Sequence, residues 1–519
     1  MRTPVGRRSK VIKAATFSVA CSVGLLLFNN CSGLGQGFGA LTAAGEASAV
    51  APFSQNTTPP AACDEASTGG AYRAISGPTD LITVDMTHVV RRLCPEFWGV
   101  NDSPAWDALW GTAASAAAVS PLNFTVGRYW GGSGADWINW TGFPNAFTSD
   151  FPIPTVAWNT IAKSGIKKLI IQTNPTILGG NDPSGAPVAQ AMRYFNANAI
   201  PIFALEIGNE QDNTSAQDAL STAQYADAFT AQCSAAKGVD PGVACMGPAS
   251  TNDWFWWPTN GGTGSPDTLE KFLAGQGDRT GNGLVDKISL HWYPGYDLNK
   301  AQGEFLQVWP LVTAAIQRSD SRDLPVYFTE FSASSADAKN PWMGTAIEAA
   351  DLIEAFKLYG VGGVDYFTIH QVAGNWGFLQ GSAEAAPNSP TATYYALYLA
   401  QKMGANILDL TQGQPRSAVS SYAAMDEGGD VQVMVINKTS LSQPLRLAFN
   451  GFDPTGSTVS NHGLVGGSES QTSVSFNGTV MPAPTALPAP SVFVATGATI
   501  DVVVEAFSVR VLNIHRAGP

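Results

Sequence analysis

The sequence has little positive charge and few histidines. It contains 28 Lys and Arg against 41 Asp and Glu, and five His among 519 residues. The formal net charge of −13 repels phosphate backbones, and no cluster of Lys and Arg follows the N-terminal segment. We therefore expect no nucleic-acid partner.

The sequence also lacks recognisable nucleotide and metal motifs. No Gly-rich phosphate loop follows any early strand-like stretch, so a nucleotide-binding fold has no anchor. No set of three His, Asp or Glu residues occurs at metal-ligand spacing, and no cysteine pair has the close spacing of a zinc site. The sequence therefore predicts no cofactor and no metal.

Cysteine is scarce, with six residues in the chain. Two of them, Cys21 and Cys31, lie near the N-terminus, which leaves an even number for pairing. The natural local pairs are Cys63 with Cys94 and Cys233 with Cys245. Two structural disulfides in an oxidising compartment are therefore predicted.

Residues 1–31 are predicted to be a signal peptide. Five basic residues precede an apolar run at 14–28, which is too short to span a membrane comfortably. Cys31 stands where a bacterial lipoprotein would be cleaved and lipidated. The alternative is cleavage near Ala43 or Ala44, which would release a soluble protein. Both alternatives predict export from a bacterial cell, either with a lipid anchor in the envelope or secreted; the oligomeric state stays open.

The rest of the chain has an ordinary globular composition, with 45% hydrophobic and 13% charged residues. Its length exceeds what one core supports, which predicts two folded units. Residues 32–75 are rich in small residues and proline and are interpreted as a flexible linker. Residues 76–403 alternate strands with helical stretches, whereas residues 404–519 are β-rich. We predict an α/β fold, a TIM barrel followed by an antiparallel β-sandwich domain.

The barrel prediction depends on eight strand candidates separated by helical stretches. The candidates are FWGVN at 97–101, FTVGRY at 124–129, KLIIQTN at 168–174, PIFALEIGNE at 201–210, ACMGPAS at 244–250, VDKISLHWYP at 285–294, PVYFTEF at 325–331 and VDYFTIHQ at 364–371. Eight such units fit a closed barrel better than an open doubly wound sheet.

Polar side chains end several of these strands, at the face where barrel active sites are built. They are Arg128, Asn209, Glu210, His291, Tyr293, Glu330, His370 and Gln371, with Asn375 following. Glu210 and Glu330 could face one another, as glycosidic cleavage requires of a proton donor and an ionised carboxylate. Their spacing leaves retention and inversion of configuration both open. Glu206, four residues before Glu210, is interpreted as a buried structural carboxylate and is the main rival for the catalytic assignment.

Tryptophan is frequent in the stretches that follow strands, where an indole face can stack on a sugar ring. These residues are Trp137, Trp140, Trp254, Trp256, Trp257, Trp292 and Trp376. About half are expected to contact ligand, with Trp137 and Trp376 favoured, and the WFWW cluster is expected to be partly core. Carbohydrate is therefore the expected partner.

Four strand-end strings resemble one group of enzymes. EIGNE ending at Glu210, TEF around Glu330, GRYWGGSGADWINW from Gly127 and SLHWYP from Ser289 are similar to the retaining glycoside hydrolases of clan A. The resemblance covers residues 95–403, and families 39, 44, 51 and 79 of that clan also carry a β-sandwich. It implies retention, with Glu210 as acid/base and Glu330 as nucleophile.

The resemblance also implies roles for neighbouring residues. Asn209 would bind the sugar 2-hydroxyl, Arg128 would keep the nucleophile ionised, and Tyr293 would orient it. His291 and Trp292 would line the site. Gln211 departs from the proline that is common after the acid/base, and the family stays open.

The sequence leaves several alternatives. A surface glycan-binding or adhesion protein on the same fold is the second hypothesis, although both carboxylates are present. Few Lys or Arg besides Arg128 occur in the cleft stretches, which favours neutral sugars over uronic acids. Endoglucanase, arabinofuranosidase and xylosidase action stay open, as do internal and terminal cleavage.

Overall fold

The computed structural model describes residue 63 and residues 78–102, 112–145, 154–212, 219–251, 267–276, 283–294, 297–298, 301–320, 322–332, 342–367, 377–381 and 386–516. The predicted signal peptide with Cys31, and all of the predicted linker except Cys63, lie outside these residues.

After a first strand, β1 (Leu81–Arg92), eight parallel strands close into a barrel. They are β2 (Trp98–Asp102), β3 (Val126–Tyr129), β4 (Lys168–Thr173), β5 (Ile202–Ile207), β6 (Cys245–Ser250), β7 (Lys287–Trp292), β8 (Val326–Phe331) and β9 (Gly363–Phe367). Strand β9 pairs with β2, so the sheet has no edge. Each strand coincides with one of the eight predicted candidates, and the predicted TIM barrel is confirmed.

Helices connect the barrel strands and cover the outside of the sheet. They are α1 (Ala113–Val119), α2 (Pro154–Ile161), α3 (Ala186–Ala197), α4 (Thr222–Val239), α5 (Asp267–Gly275), α6 (Ala301–Ser319), α7 (Trp342–Tyr359) and α8 (Ala392–Ala400). Strands β6, β7 and β8 are buried along their whole length, because one face points into the barrel and the other meets the helices. The start of α4 is fixed by a capping box between Ser221 and Gln224.

The second domain is built on one long, mostly antiparallel sheet. Its further strands are β10 (Asn406–Gln412), β11 (Val419–Met425), β12 (Val431–Asn437), β13 (Gln443–Asn450), β14 (Thr458–Val465), β15 (Ser475–Phe476), β16 (Thr479–Val480), β17 (Ser491–Val494), β18 (Thr499–Val504) and β19 (Ser508–His515). The order is β16-β15-β14-β19-β12-β11-β10-β1-β13-β18, with β17 also pairing with β14. Side chains from β13, β18, β14 and β19 share one core, so the sheet folds over itself into the predicted sandwich.

Strand β1 corrects the predicted domain boundary. The sequence assigned residues 76–403 to the barrel, but β1 pairs antiparallel with β10 and parallel with β13 in the sandwich. The apolar pattern of this strand could not show which sheet it joins, because its partners lie more than 300 residues later in the chain. The barrel therefore begins after β1.

The two predicted disulfides are confirmed. Cys63 bonds to Cys94 just before the barrel, and Cys233 on α4 bonds to Cys245 at the start of β6. Such bonds are consistent with an exported protein. Among the described residues, none of the helices has the length and apolarity needed to cross a membrane.

Barrel and sandwich share a continuous apolar contact. In β12, Val431, Val433 and Val435 face the sandwich core, whereas Met434 and Ile436 face the barrel side, as strand alternation requires. Helix α7 lies between them and is buried almost all round, so its charged residues Glu348, Asp351, Glu354 and Lys357 are buried as well.

A buried ion pair joins the two domains within this contact. Lys438 Nζ lies 2.5 Å from Asp351 Oδ2, and both side chains are almost completely buried. Tyr422 donates a hydrogen bond to Asp351 Oδ1 at 2.7 Å, and Gln302 donates to the Tyr422 hydroxyl at 2.6 Å. The pair ties α7 of the barrel to the end of β12.

Replacing Lys438 with methionine is expected to lower the free energy of unfolding by about 3 kcal/mol, because Asp351 would stay buried without its cation. Urea denaturation of the folded chain measures the loss. The matched double variant Lys438→Met/Asp351→Asn removes the unpaired charge and should recover most of it. Equal losses in the single and double variants would contradict this assignment.

Candidate active site

The carboxyl ends of four barrel strands bring the predicted polar residues to one mouth. Arg128 in β3, His291 in β7 and Glu330 in β8 are each the penultimate residue of their strand. Asn209 and Glu210 follow β5 directly. Residues up to 202 positions apart in sequence therefore surround one small space.

The backbone after β5 turns Glu210 into the mouth. The sequence predicted a strand up to residue 210, but β5 ends at Ile207 and the next residue, Gly208, has a φ of 80°. Glu210 itself has a φ of 51°, a left-handed conformation that costs a non-glycine residue about 1–2 kcal/mol. Its amide donates a hydrogen bond to the Ala249 carbonyl at 2.9 Å, which holds the turn against β6. Because β5 ends before Glu210, the alternation of side chains along the strand does not determine whether Glu210 points to the same side as Glu206.

A buried arginine is at the centre of the cluster. Arg128 donates from Nη1 to Glu330 Oε1 at 2.6 Å, from Nε to Glu206 Oε2 at 2.5 Å and from Nη2 to Asn209 Oδ1 at 3.0 Å. Burial disfavours the charged guanidinium, but the charges of Glu206 and Glu330 outweigh it and raise the pKa of Arg128. Arg128 is therefore a permanent cation beside Glu330.

Glu330 is held by donors on both of its oxygens. Arg128 occupies Oε1, and the hydroxyl of Tyr293 donates to Oε2 at 2.8 Å. Burial and the charge of Glu330 raise the pKa of Tyr293 well above its ordinary value, so the phenol keeps its proton. The backbone of Gly132 also approaches closely, since a Cβ there would lie 3.7 Å from Glu330 Oε1. Glu330 is thus fixed in orientation as well as in charge environment.

Glu210 contacts His291 and is more accessible to solvent than Glu330. His291 Nδ1 lies 2.7 Å from Glu210 Oε1 and 3.4 Å from Glu330 Oε2. The side chain of Glu210 is 15% exposed and that of Glu330 is 3% exposed. One carboxylate oxygen of Glu210, one ring nitrogen of His291 and one carboxylate oxygen of Glu330 all lie within 4.8 Å of one another.

The imidazole of His291 is neutral near pH 7. Burial lowers its pKa to about 4, although Glu330 and Glu206 favour the charged form. When Glu210 is ionised, Nδ1 must carry the proton and donate it, because a carboxylate only accepts. Among the described residues, Nε2 is buried without a hydrogen-bond partner.

The sequence missed that Glu210, His291 and Glu330 form a cluster of the kind that can hold a metal ion. Their spacing along the chain gave no signal, because the barrel and not a local motif brings them together. Two carboxylates and an imidazole are ligands that transition metals accept. Here, however, Glu330 is already held by Arg128 and Tyr293, and a cation would sit beside a fixed guanidinium.

Two further carboxylates lie near this cluster. Glu206 is completely buried and also accepts a hydrogen bond from Thr329 at 2.6 Å, as its interpretation as a buried carboxylate predicted. Asp212, which sequence reasoning passed over, accepts weak hydrogen bonds from Thr251. Burial, and then the charge of Glu210, raise the pKa of Asp212 well above its ordinary value. In the sequence, its position two residues after Glu210 is the feature that could have indicated that Asp212 lies near the site.

The structure separates the predicted aromatic contacts. Trp137 is 46% exposed at the end of a short 3₁₀ helix, Ser133–Trp137, beside the mouth. Trp140 is buried and stacked on Phe143, and Trp292 is buried against Phe305 and Phe328. Trp140 and Trp292 are therefore packing residues, which corrects the prediction that Trp292 lines the site and places Trp140 among the tryptophans expected to be packing. Trp254, Trp256, Trp257, Trp376, His370, Gln371 and Asn375 lie outside the described residues.

Comparison with known proteins finds likeness in fold. No protein-family model and no curated protein sequence matches the chain. The structure is similar to AbfB, a family 51 α-L-arabinofuranosidase from Bifidobacterium longum, with a TM-score of 0.64 and 14% identity over 85% of this chain and 100% of that one. It is also similar to CelM2, a bifunctional glucanase-xylanase from a metagenome library, with a TM-score of 0.61 and 16% identity over 85% and 100% of the chains.

A third similar structure is a Paenibacillus polymyxa xyloglucanase from glycoside hydrolase family 44, with a TM-score of 0.59 and 12% identity over 84% of this chain and 99% of that one. Families 44 and 51 are among those that the strand-end strings resemble. At these identities the likeness establishes the barrel and the sandwich but no activity.

The lowered pKa of His291 predicts a loss of stability in mild acid. Between pH 6.5 and about 4 the unfolded chain binds a proton that the folded chain does not, so the free energy of unfolding falls as pH falls. From pH 7 to pH 5 this histidine should account for about 2 kcal/mol. Urea denaturation at both pH values should show a smaller decrease in the free energy of unfolding for His291→Gln than for wild type. A control is His515→Gln, whose side chain is 41% exposed; equal losses in wild type and His291→Gln would refute the assignment.

Proposed function

We propose that the chain is a retaining glycoside hydrolase. The observation that carries the proposal is that carboxylate oxygens of Glu210 and Glu330 lie within 4.8 Å of one another at the barrel mouth. Retaining enzymes hold their two carboxyl groups about 5–5.5 Å apart, whereas inverting enzymes leave about 6.5–9.5 Å for a water molecule. The short separation favours attack by a carboxylate.

Glu330 is the nucleophile in this proposal. Its carboxylate is buried beside the fixed charge of Arg128 and accepts a hydrogen bond from Tyr293, which supports an ionised and oriented group. In the first step an oxygen of Glu330 bonds to the anomeric carbon as the bond to the leaving oxygen breaks. The product of that step is a glycosyl ester of Glu330.

Glu210 is the acid/base. Its greater exposure lets it exchange protons with a leaving group and then with water, whereas Glu330 is sealed by its donors. In the first step Glu210 gives its proton to the leaving oxygen. In the second it takes a proton from the water that hydrolyses the ester, which restores both carboxyl groups.

Asn209 is placed to bind the sugar beside the reacting carbon. Its Oδ1 accepts a hydrogen bond from Arg128, so the amide NH₂ is the group that would donate to the 2-hydroxyl. Such a contact strengthens as positive charge develops on the ring. Neutral sugars are the proposed substrates, because the cation in the described part of the site, Arg128, is already shared by two carboxylates. We also propose that the chain acts after export, as its disulfides suggest.

Variants of the two glutamates test the proposed roles on a panel of aryl glycosides. Glu210→Ala should lose about 10²–10⁴-fold on phenyl glycosides but much less on dinitrophenyl glycosides, whose leaving group needs no proton. Azide should restore its turnover and give a glycosyl azide of retained configuration. Glu330→Ala should lose activity on every leaving group.

Glu427→Ala is the control, because that side chain is 78% exposed and lies in the sandwich. A wild-type product of inverted configuration would refute retention. A protein that binds glycans but releases no phenol from any member of the panel would instead be the non-catalytic binder.

Trp137 is proposed as a sugar platform at the mouth. Replacing it with alanine should raise KM for a polysaccharide substrate about two- to tenfold, since one stacking contact contributes about 0.5–1.5 kcal/mol. Activity on an aryl monoglycoside should stay near wild type. Trp137→Phe, which keeps an aromatic face, is the matched control, and an equal KM increase in both variants would contradict stacking.

A further inference from the structure

Glu206 is a buried carboxylate that the proposed reaction does not use. It lies on β5 inside the barrel with no exposed surface. Its two oxygens accept hydrogen bonds from Arg128 Nε at 2.5 Å and from Thr329 Oγ1 at 2.6 Å. Thr329 directly precedes Glu330 on β8, so both donors also belong to the surroundings of the nucleophile.

The guanidinium of Arg128 is shared between two carboxylates. Nε pairs with Glu206 while Nη1 pairs with Glu330. A second negative charge on the same cation weakens the attraction that Glu330 feels, and it also repels the charge of Glu330 directly. Because Arg128 is shared, Glu330 is more basic than it would be if Arg128 paired with Glu330 alone.

We propose that Glu206 is a positioning residue that fixes the Arg128 guanidinium and sets the basicity of Glu330. The inference rests on the proposed function, in which Glu330 attacks the sugar. A more basic carboxylate is a better nucleophile, whereas an arginine alone would keep it ionised but weaken its attack. Glu206 balances those two demands.

The other titratable groups facing the pair have defined states. His291, Tyr293 and Glu210 face Glu330, while Asp365 and Tyr225 add to the electrostatic environment of the barrel interior around Glu206. Burial raises the pKa of Asp365 and of both tyrosines well above their ordinary values and lowers that of His291 to about 4. Burial therefore favours the neutral form of all four groups, and Glu206 is the carboxylate that shares the Arg128 guanidinium with Glu330.

The pH dependence of kcat/KM on the best aryl glycoside of the panel tests the inference. In Glu206→Gln the acidic limb should move down by about one pH unit, and the plateau should fall, because Glu330 becomes less basic. Glu206→Asp is the matched control, since it keeps the charge and should keep the wild-type limb even if the plateau falls.

Thr329→Val tests the opposite change. Removing the hydroxyl concentrates the charge of Glu206 on the oxygen that faces Arg128, so the acidic limb should move up by a few tenths of a pH unit. Thermal unfolding followed by circular dichroism shows whether each variant folds. If Glu206→Gln does not fold, the acidic limb of Thr329→Val is the test of the inference. Acidic limbs of folded Glu206→Gln and Thr329→Val that superimpose on the wild-type limb would overturn the inference. If wild type itself releases no phenol, the proposed function fails instead.

Discussion

The mouth of the barrel is organised around one buried cation. A guanidinium removed from water costs several kcal/mol unless its donors are paired and its charge is balanced. Arg128 meets that requirement with acceptors from β5, from the turn after β5 and from β8. Any shift of those elements relative to β3 would leave a donor or a charge unpaired. The pairing therefore fixes where Asn209 and Glu330 lie.

The sandwich stabilises this arrangement from behind. Lys438 ties it to Asp351 on α7, the helix that follows β8. On the same helix, Phe356 packs edge-on against Phe331 at 5.1 Å between ring centroids, and Phe331 directly follows Glu330. The sandwich thus supports the barrel wall that carries Glu330. This contact gives a physical reason for a sandwich to accompany the barrel.

The sequence predicted the barrel because its signals are local. Each strand is a short apolar run, and a polar residue at its carboxyl end marks the mouth, so the sequence alone placed Arg128, Glu210 and Glu330 among the candidate residues there. Signals that depend on distant partners were lost. Strand β1 looks like a barrel strand until its pairing with β10 is known, and Trp292 resembles a sugar platform until Phe305 and Phe328 cover it. The sharing of Arg128 by Glu206 also has no sequence signature, because it depends on rotamers inside the closed barrel.

The two glutamates differ in the way that the proposed reaction needs. Glu330 lies within a regular strand, with a donor on each oxygen and almost no exposed surface, so its position is fixed. Glu210 lies on a strained turn beyond its strand, where it contacts a neutral imidazole and is partly exposed to solvent. A nucleophile benefits from being fixed, whereas an acid/base must gain and lose a proton in each cycle. The left-handed backbone at Glu210 is therefore explained by its effect, because it places this carboxylate where solvent can reach it while Glu330 stays buried.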